Sequence, residues 1–188
     1  DDDDAASLFA ESLMNTMPWN YWIDADNPKP LTIEAINKLE EVLARNPSHP
    51  MAIHLYIHAV ESSSKPERAE AAADILLDLV PGAGHLVHMP SHIYWRVGRY
   101  ADASKSNEMA AAVDEAYIAA CNAQGFYPAA YYPHNIHFLW ASSSMEGRSK
   151  VAIEAGEKVA KNVRIEMIDQ FPGVEFFKTI IVIKQFRF

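Results

Sequence analysis

The stretch from Ile53 to Trp95, IHLYIHAVESSSKPERAEAAADILLDLVPGAGHLVHMPSHIYW, decides how the chain is read. It holds two histidine pairs at i and i+4, His54 with His58 and His88 with His92, and the second pair begins 34 residues after the first. Residues three and four apart share one face of a helix, so each pair predicts two imidazoles side by side. A third group, His134 and His137 in YPHNIHFLW, follows further along.

Outward from this stretch the chain reads as a succession of helices with clear stops. Ala5 to Met17 predicts a helix closed by Pro18, and PWNYWIDADNPKP after it is rich in turn formers. Trp19, Tyr21 and Trp22 in that segment are expected to cap a core rather than to stack on a ligand. Thr32 reads as the N-cap of a helix running to Arg45, where Asn46 and Pro47 stop it. Pro50 opens the helix carrying His54 and His58, which runs to Glu61, and Pro66 opens another that stops at Pro81. Pro90, between His88 and His92, predicts either a helix start or a kink there. Beyond Gly98 a long helix reaches Ala123; FYPAAYYP then reads as an aromatic loop. Further helices are expected over His134–Met145, Ser149–Val163 and 173–188.

A repeat underlies this order. Ala35, Leu39, Val42 and Pro47 return as Ala69, Ala73, Leu76 and Pro81, and again as Ala103, Asn107, Ala110 and Glu115. With the Gly98-Arg99-Tyr100 turn, these residues resemble the tetratricopeptide repeat, whose period is about 34 residues. The stretches VPGAGHLVHMPSHIYWRVGRYADA and YYPHNIHFLWASSSMEGR also look like a bacterial subfamily of such repeat proteins. The resemblance implies an all-α fold: antiparallel helical hairpins stacked as a right-handed solenoid, with a concave groove lined by the first helix of each unit. Units are expected at roughly 5–47, 50–81, 85–123 and 133–163, with 173–188 as the first helix of a further one. Both ends then read as cuts in a longer protein, because arrays normally close with a polar cap.

In this register, seven of the eight histidines fall at the second, fifth and ninth places of a unit, which face the groove in the family: His54, His58, His85, His88, His92, His134 and His137. Three places in such a unit would catch about one histidine in ten by chance. The packing places carry Ile53, Ile57 and Val60, then Val87, Ser91 and Tyr94, then Ile136, Trp140 and Ser143. Glu61 shares the histidine face, as a metal ligand or as a base. Imidazoles with one carboxylate suit Zn, Cu, Fe or Ni better than Ca or Mg. The groove is therefore expected to hold one or two transition-metal ions, in a metal-dependent hydrolase or oxidase if it is catalytic. The other reading is a metal-free scaffold that binds a peptide or protein, with the histidines as neutral donors and acceptors. Arg96 is expected to hold an anionic substrate or partner carboxylate, unless it is a plain surface charge; Trp95 lines the groove or packs in the core.

Composition removes other classes. A net charge of −9 without a basic patch argues against nucleic acid. No run of about 18 apolar residues is present, so no membrane span is expected. A single cysteine, Cys121, excludes an internal disulfide and a thiolate zinc site, and it reads as a buried small hydrophobe. No Gly-rich phosphate loop, flavin or nucleotide motif, Gly-x-Ser-x-Gly elbow or His-Glu-x-x-His motif occurs. The run Asp1–Asp4 is expected to be a solvated helix lead-in or a cut end.

Overall fold

The computed structural model describes residues 2–163 and 165–179. Helix α1 (Asp3–Asn15) begins where the Asp2 carboxylate accepts the Ala5 N–H at 3.0 Å. The acidic run is therefore a cap and first turn that oppose the positive end of the helix dipole. Asp3 and Asp4 also reach outward, to Arg45 at 2.6 Å and His49 at 3.0 Å.

The turn-rich segment contains a small antiparallel hairpin, β1 (Trp22–Asp24) and β2 (Asn27–Pro28). Asp24 closes its turn by accepting hydrogen bonds from Asp26 and Asn27. Trp22 packs against the core and donates its indole N–H to Ala59 O at 2.8 Å, while Tyr21 is half-buried beside it. Trp19 departs from the expected capping role, being 74% exposed.

Helix α2 (Pro30–Arg45) starts before Thr32, on Pro30, which needs no N–H partner at the first turn. Thr32 is not the cap; it donates its hydroxyl to Tyr21 O at 2.5 Å, tying α2 to the hairpin segment. Helix α3 (Pro50–Val60) is capped by His49, whose Nδ1 accepts the Ala52 N–H at 3.2 Å. A 3-10 turn at Pro66–Ala69 leads into α4 (Glu70–Leu79). The region around Pro90 resolves into two short helices, α5 (Gly84–His88) and α6 (Pro90–Arg96), joined through Met89 in right-handed helical geometry. Proline thus breaks the hydrogen-bond ladder without turning the chain away.

Helix α7 (Tyr100–Cys121) follows the Gly98 turn, where φ is +83° and a Cβ would be strained. The expected aromatic loop is instead a π turn, Tyr127–Tyr131, running straight into α8 (Tyr132–Met145). Helix α9 (Ser149–Asn162) and the short α10 (Ile165–Gln170) complete the helices. The helix expected over 173–188 is described only to Thr179, as a 3-10 turn at Val174–Thr179; its remainder lies outside the described residues. Cys121 is exposed, contrary to its reading as a buried hydrophobe, because it sits in the last turn of α7, where Ala119, Ala120 and Asn122 are exposed too.

The fold is all-α apart from the hairpin. Ile53, Ile57, Val60, Val87, Ser91, Tyr94, Ile136, Trp140 and Ser143, the residues assigned to packing, are all buried. One core joins α1 to α4 with α6, and a second joins α7, α8 and α9. Helix α3 touches both α1 and α6, α6 touches α5, and α5 touches α8, so the four histidine-bearing elements α3, α6, α5 and α8 succeed one another after α1. Helix α7 packs against α5, α6 and α8 at once. Its buried residues are Ala103, Ser104, Ser106, Asn107, Ala110, Ala111 and Asp114, short side chains that let three helices approach.

The closest approach is at Gly84. A Cβ there would sit 1.9 Å from Asp114 Oδ1 and 3.1 Å from Ala110 O. Asp114 cannot swing aside, because it accepts hydrogen bonds from Tyr127 and Asn135, both at 2.7 Å. This carboxylate pins the start of α5, the π turn and α8 to α7. Gly84→Ala is expected to cost about 1–3 kcal/mol in urea unfolding. Gly82→Ala, with nothing within 4 Å, should stay within about 0.5 kcal/mol. Equal effects would contradict the clamp.

Candidate metal centre

Six histidines meet between α3, α5, α6 and α8. From α3 come His54 and His58, with ring centroids 5.0 Å apart, as the i, i+4 spacing requires. His85 of α5 lies 5.2 Å from His54. His92 of α6 lies 5.2 Å from His58 and 4.8 Å from His88. His134, at the start of α8, lies 4.7 Å from His88 and 5.6 Å from His92. The kink at Pro90 does not separate His88 from His92; it keeps them in contact, with Nε2 atoms 2.9 Å apart.

These rings form three overlapping trios of donor atoms, in each of which the atoms lie within 4.8 Å of one another. The trios are His54, His58 and His85; His58, Glu61 and His92; and His88, His92 and His134. Glu61, just past α3, accepts from His58 Nδ1 at 2.9 Å and from His92 Nδ1 at 2.5 Å. His85 Nδ1 is buried without a hydrogen-bond partner among the described residues.

A cavity of about 860 Å³ opens onto this cluster. Its walls include His54, His58, His85, His92 and His134, and its aromatic side is formed by Trp19, Tyr21, Phe126, Tyr131 and Phe177. The size is ordinary for a small-molecule site. His88 is fully buried behind the wall.

The remaining expectations separate here. His137 belongs to none of the trios; its ring stacks on Trp140 at 5.5 Å and meets Phe176 and Phe177. Arg96 is engaged with the backbone, donating to Glu61 O at 2.6 Å and Ser63 O at 3.0 Å, and thereby fixing the turn that carries Glu61. Trp95 is 38% exposed, beside Tyr100, and neither it nor Arg96 lines the cavity. His49, left out of the register, is occupied as a helix cap and partner of Asp4.

Other residues enter that sequence reading missed. Asn107 faces His88 Nδ1 at 2.6 Å. Phe138 packs its ring within 4.9 Å of His88, His92 and His134, and Tyr131 covers His85 at 4.7 Å. Asn107 did carry a signal: it is the polar residue at a repeat place held elsewhere by Leu39 and Ala73. Tyr131 depends on the π turn, which has no comparable mark in the sequence.

Burial sets the charge of the cluster. Burial first, then neighbouring imidazoles, push His54 and His134 down to about 3 and His85 to about 4. Burial holds His88 well below the usual histidine range and also lowers His58 and His137, Glu61 opposing the effect at His58. Burial alone would raise Glu61; His92 beside it and the two Nδ1–H bonds instead hold its carboxyl well below the usual range. The cluster is thus rich in neutral imidazole lone pairs around a single carboxylate, the protonation state that metal binding needs.

Comparison with family models, curated proteins and solved structures gave no match.

The lowered histidines also fix a stability trend for the metal-free protein. Their contribution is fully present above the unfolded value of 6.5 and is lost as pH falls toward 4, because the unfolded chain takes up protons that the folded one refuses. Each such histidine adds up to about 1.4 kcal/mol per pH unit to the loss. Urea unfolding from pH 7.5 to 5 should show a steep decline, made shallower by His54→Gln. Constant stability over that range would contradict the assignment.

Proposed function

We propose that this chain is a tetratricopeptide-like array whose inner helices hold a transition-metal site opening into the aromatic-walled cavity. The array reading is supported by the 34-residue recurrence in the sequence, the Gly98 turn, and the succession of α1, α3 and α6, with α5 against α8. The metal reading is carried by one observation: three trios, of which two contain His58 and two contain His92, with donor atoms within 4.8 Å in each trio. Nitrogen-rich donors favour Zn, Cu, Fe or Ni. Tetrahedral zinc bonds to nitrogen at about 2.0–2.1 Å would place donors about 3.3 Å apart. Small rotations of the imidazoles would bring a trio to that spacing.

A bound metal of this kind supplies Lewis acidity, and an open position on it would suit a hydrolase or oxidase. The chain's own part is to present neutral imidazoles, keep His88 dry behind the wall, and hold a ligand against Trp19, Tyr131 and Phe126. No fixed cation lines the cavity among the described residues, so a neutral or apolar small molecule fits better than an anion.

Metal analysis of the untagged protein tests the reading. The expected result is about one equivalent or more of Zn, Cu, Fe or Ni, with melting lowered by a chelator. His58→Ala, which removes a member of two trios, should lower metal content at least several-fold. His49→Ala should keep the metal while losing about 0.5–2 kcal/mol with its helix cap. Less than about half an equivalent, with melting indifferent to chelator, would return the cavity to a metal-free peptide-binding groove.

A further inference from the structure

We infer that Asn107 and Glu61 are positioning residues that set the tautomers of His88, His58 and His92, so that each is free to present Nε2 to a metal, His88 and His92 together with His134, and His58 together with His54 and His85. The inference rests on the metal reading for its purpose, but the tautomers follow from hydrogen bonds alone.

The Asn107 amide can take only one orientation. Its Nδ2 donates to Ala103 O at 2.7 Å, leaving Oδ1 toward His88 Nδ1 at 2.6 Å. A carbonyl oxygen only accepts, so His88 carries its proton on Nδ1. Ser91 Oγ, at 3.3 Å from the same nitrogen, is a longer second contact that a hydroxyl oxygen can also accept. His88 is completely buried, and with its proton on Nδ1 the ring keeps its lone pair on Nε2.

The same reasoning applies across the cluster. Glu61 is an ionised carboxylate and only accepts, so His58 and His92 both give it their Nδ1–H. Their Nε2 atoms therefore face away from Glu61. His92 Nε2 then lies 2.9 Å from His88 Nε2, within the trio these two rings form with His134. Such a contact becomes attractive only when a positive centre joins the two. His134 supplies the third donor of that trio.

Glu61 thus acts through His58 and His92, as carboxylates do behind metal-bound histidines elsewhere. Asn107 plays the same part for His88 from a different helix. Its burial on α7, in a face otherwise made of small residues, has a reason beyond packing.

Long-range 1H–15N NMR of the metal-free protein reads the tautomers directly. His88 and His58 are expected as Nδ1–H forms. Zinc titration then compares the wild type with Asn107→Leu, which loses the acceptor, and Asn107→Asp, which keeps it. Asn107→Leu should weaken zinc binding about 10–100-fold, and Asn107→Asp should stay within a few-fold of wild type. A wild type that binds no zinc overturns the metal reading, and with it the role given to both residues. A wild type that binds zinc but shows His88 as the Nε2–H form overturns this inference alone, as does unchanged affinity in Asn107→Leu. If Asn107→Leu does not fold, the tautomer of wild-type His88 together with the Asn107→Asp titration decides.

Discussion

Two imidazole N–H groups, from different helices, end on the two oxygens of one part-buried carboxylate. Glu61 receives His58 from α3 and His92 from α6, while Arg96 of α6 grips the Glu61 carbonyl. Burying a carboxylate is costly unless its acceptor sites are filled, and here both oxygens are. The interaction also fixes the relative rotation of α3 and α6. With those two helices set, His54 can only lie beside His58, and His88 beside His92. The cavity wall follows from this one junction.

The second constraint is exclusion of water. Six neighbouring imidazoles in water would share protons freely near neutral pH. Here Phe138, Tyr131 and the packed helices shield the rings, and burial holds His54, His85, His88 and His134 below the usual histidine range. Neutral rings leave lone pairs, and the structure leaves some of these facing one another or facing nothing, as at His88 with His92 and at His85 Nδ1. Unsatisfied buried polar atoms are uncommon in folded proteins, and His85 Nδ1 is one of three among the described residues, with Asn135 Oδ1 and Trp140 Nε1.

Much of this was legible in the chain. Pro50 and Pro66 mark starts of helical segments as read, Pro90 takes the first of its two expected roles, Pro30 rather than Thr32 opens α2, and the packing residues read from the repeat are all buried. The histidine face was legible because spacing of three and four maps directly onto a helix surface. The rest depended on contacts between elements. His137 shares the histidine spacing but meets Trp140 and the following turn. Arg96 has the right place to face a ligand, yet nearby carbonyls capture it first. Cys121 reads as a core residue by its type alone, but it sits in the last turn of α7, where Ala119 and Ala120 are exposed as well. Asn107 broke the pattern of small residues, and only its pairing with His88 says why.

The central claim, that the converging histidines bind a metal, is tested most directly by X-ray absorption at the metal edge of the zinc- or cobalt-loaded protein. The account predicts nitrogen and oxygen neighbours only, zinc–nitrogen distances of about 2.0–2.1 Å, and multiple scattering from two or more imidazoles. The same spectrum without imidazole scattering, showing a metal surrounded by water and carboxylate oxygens, would contradict it.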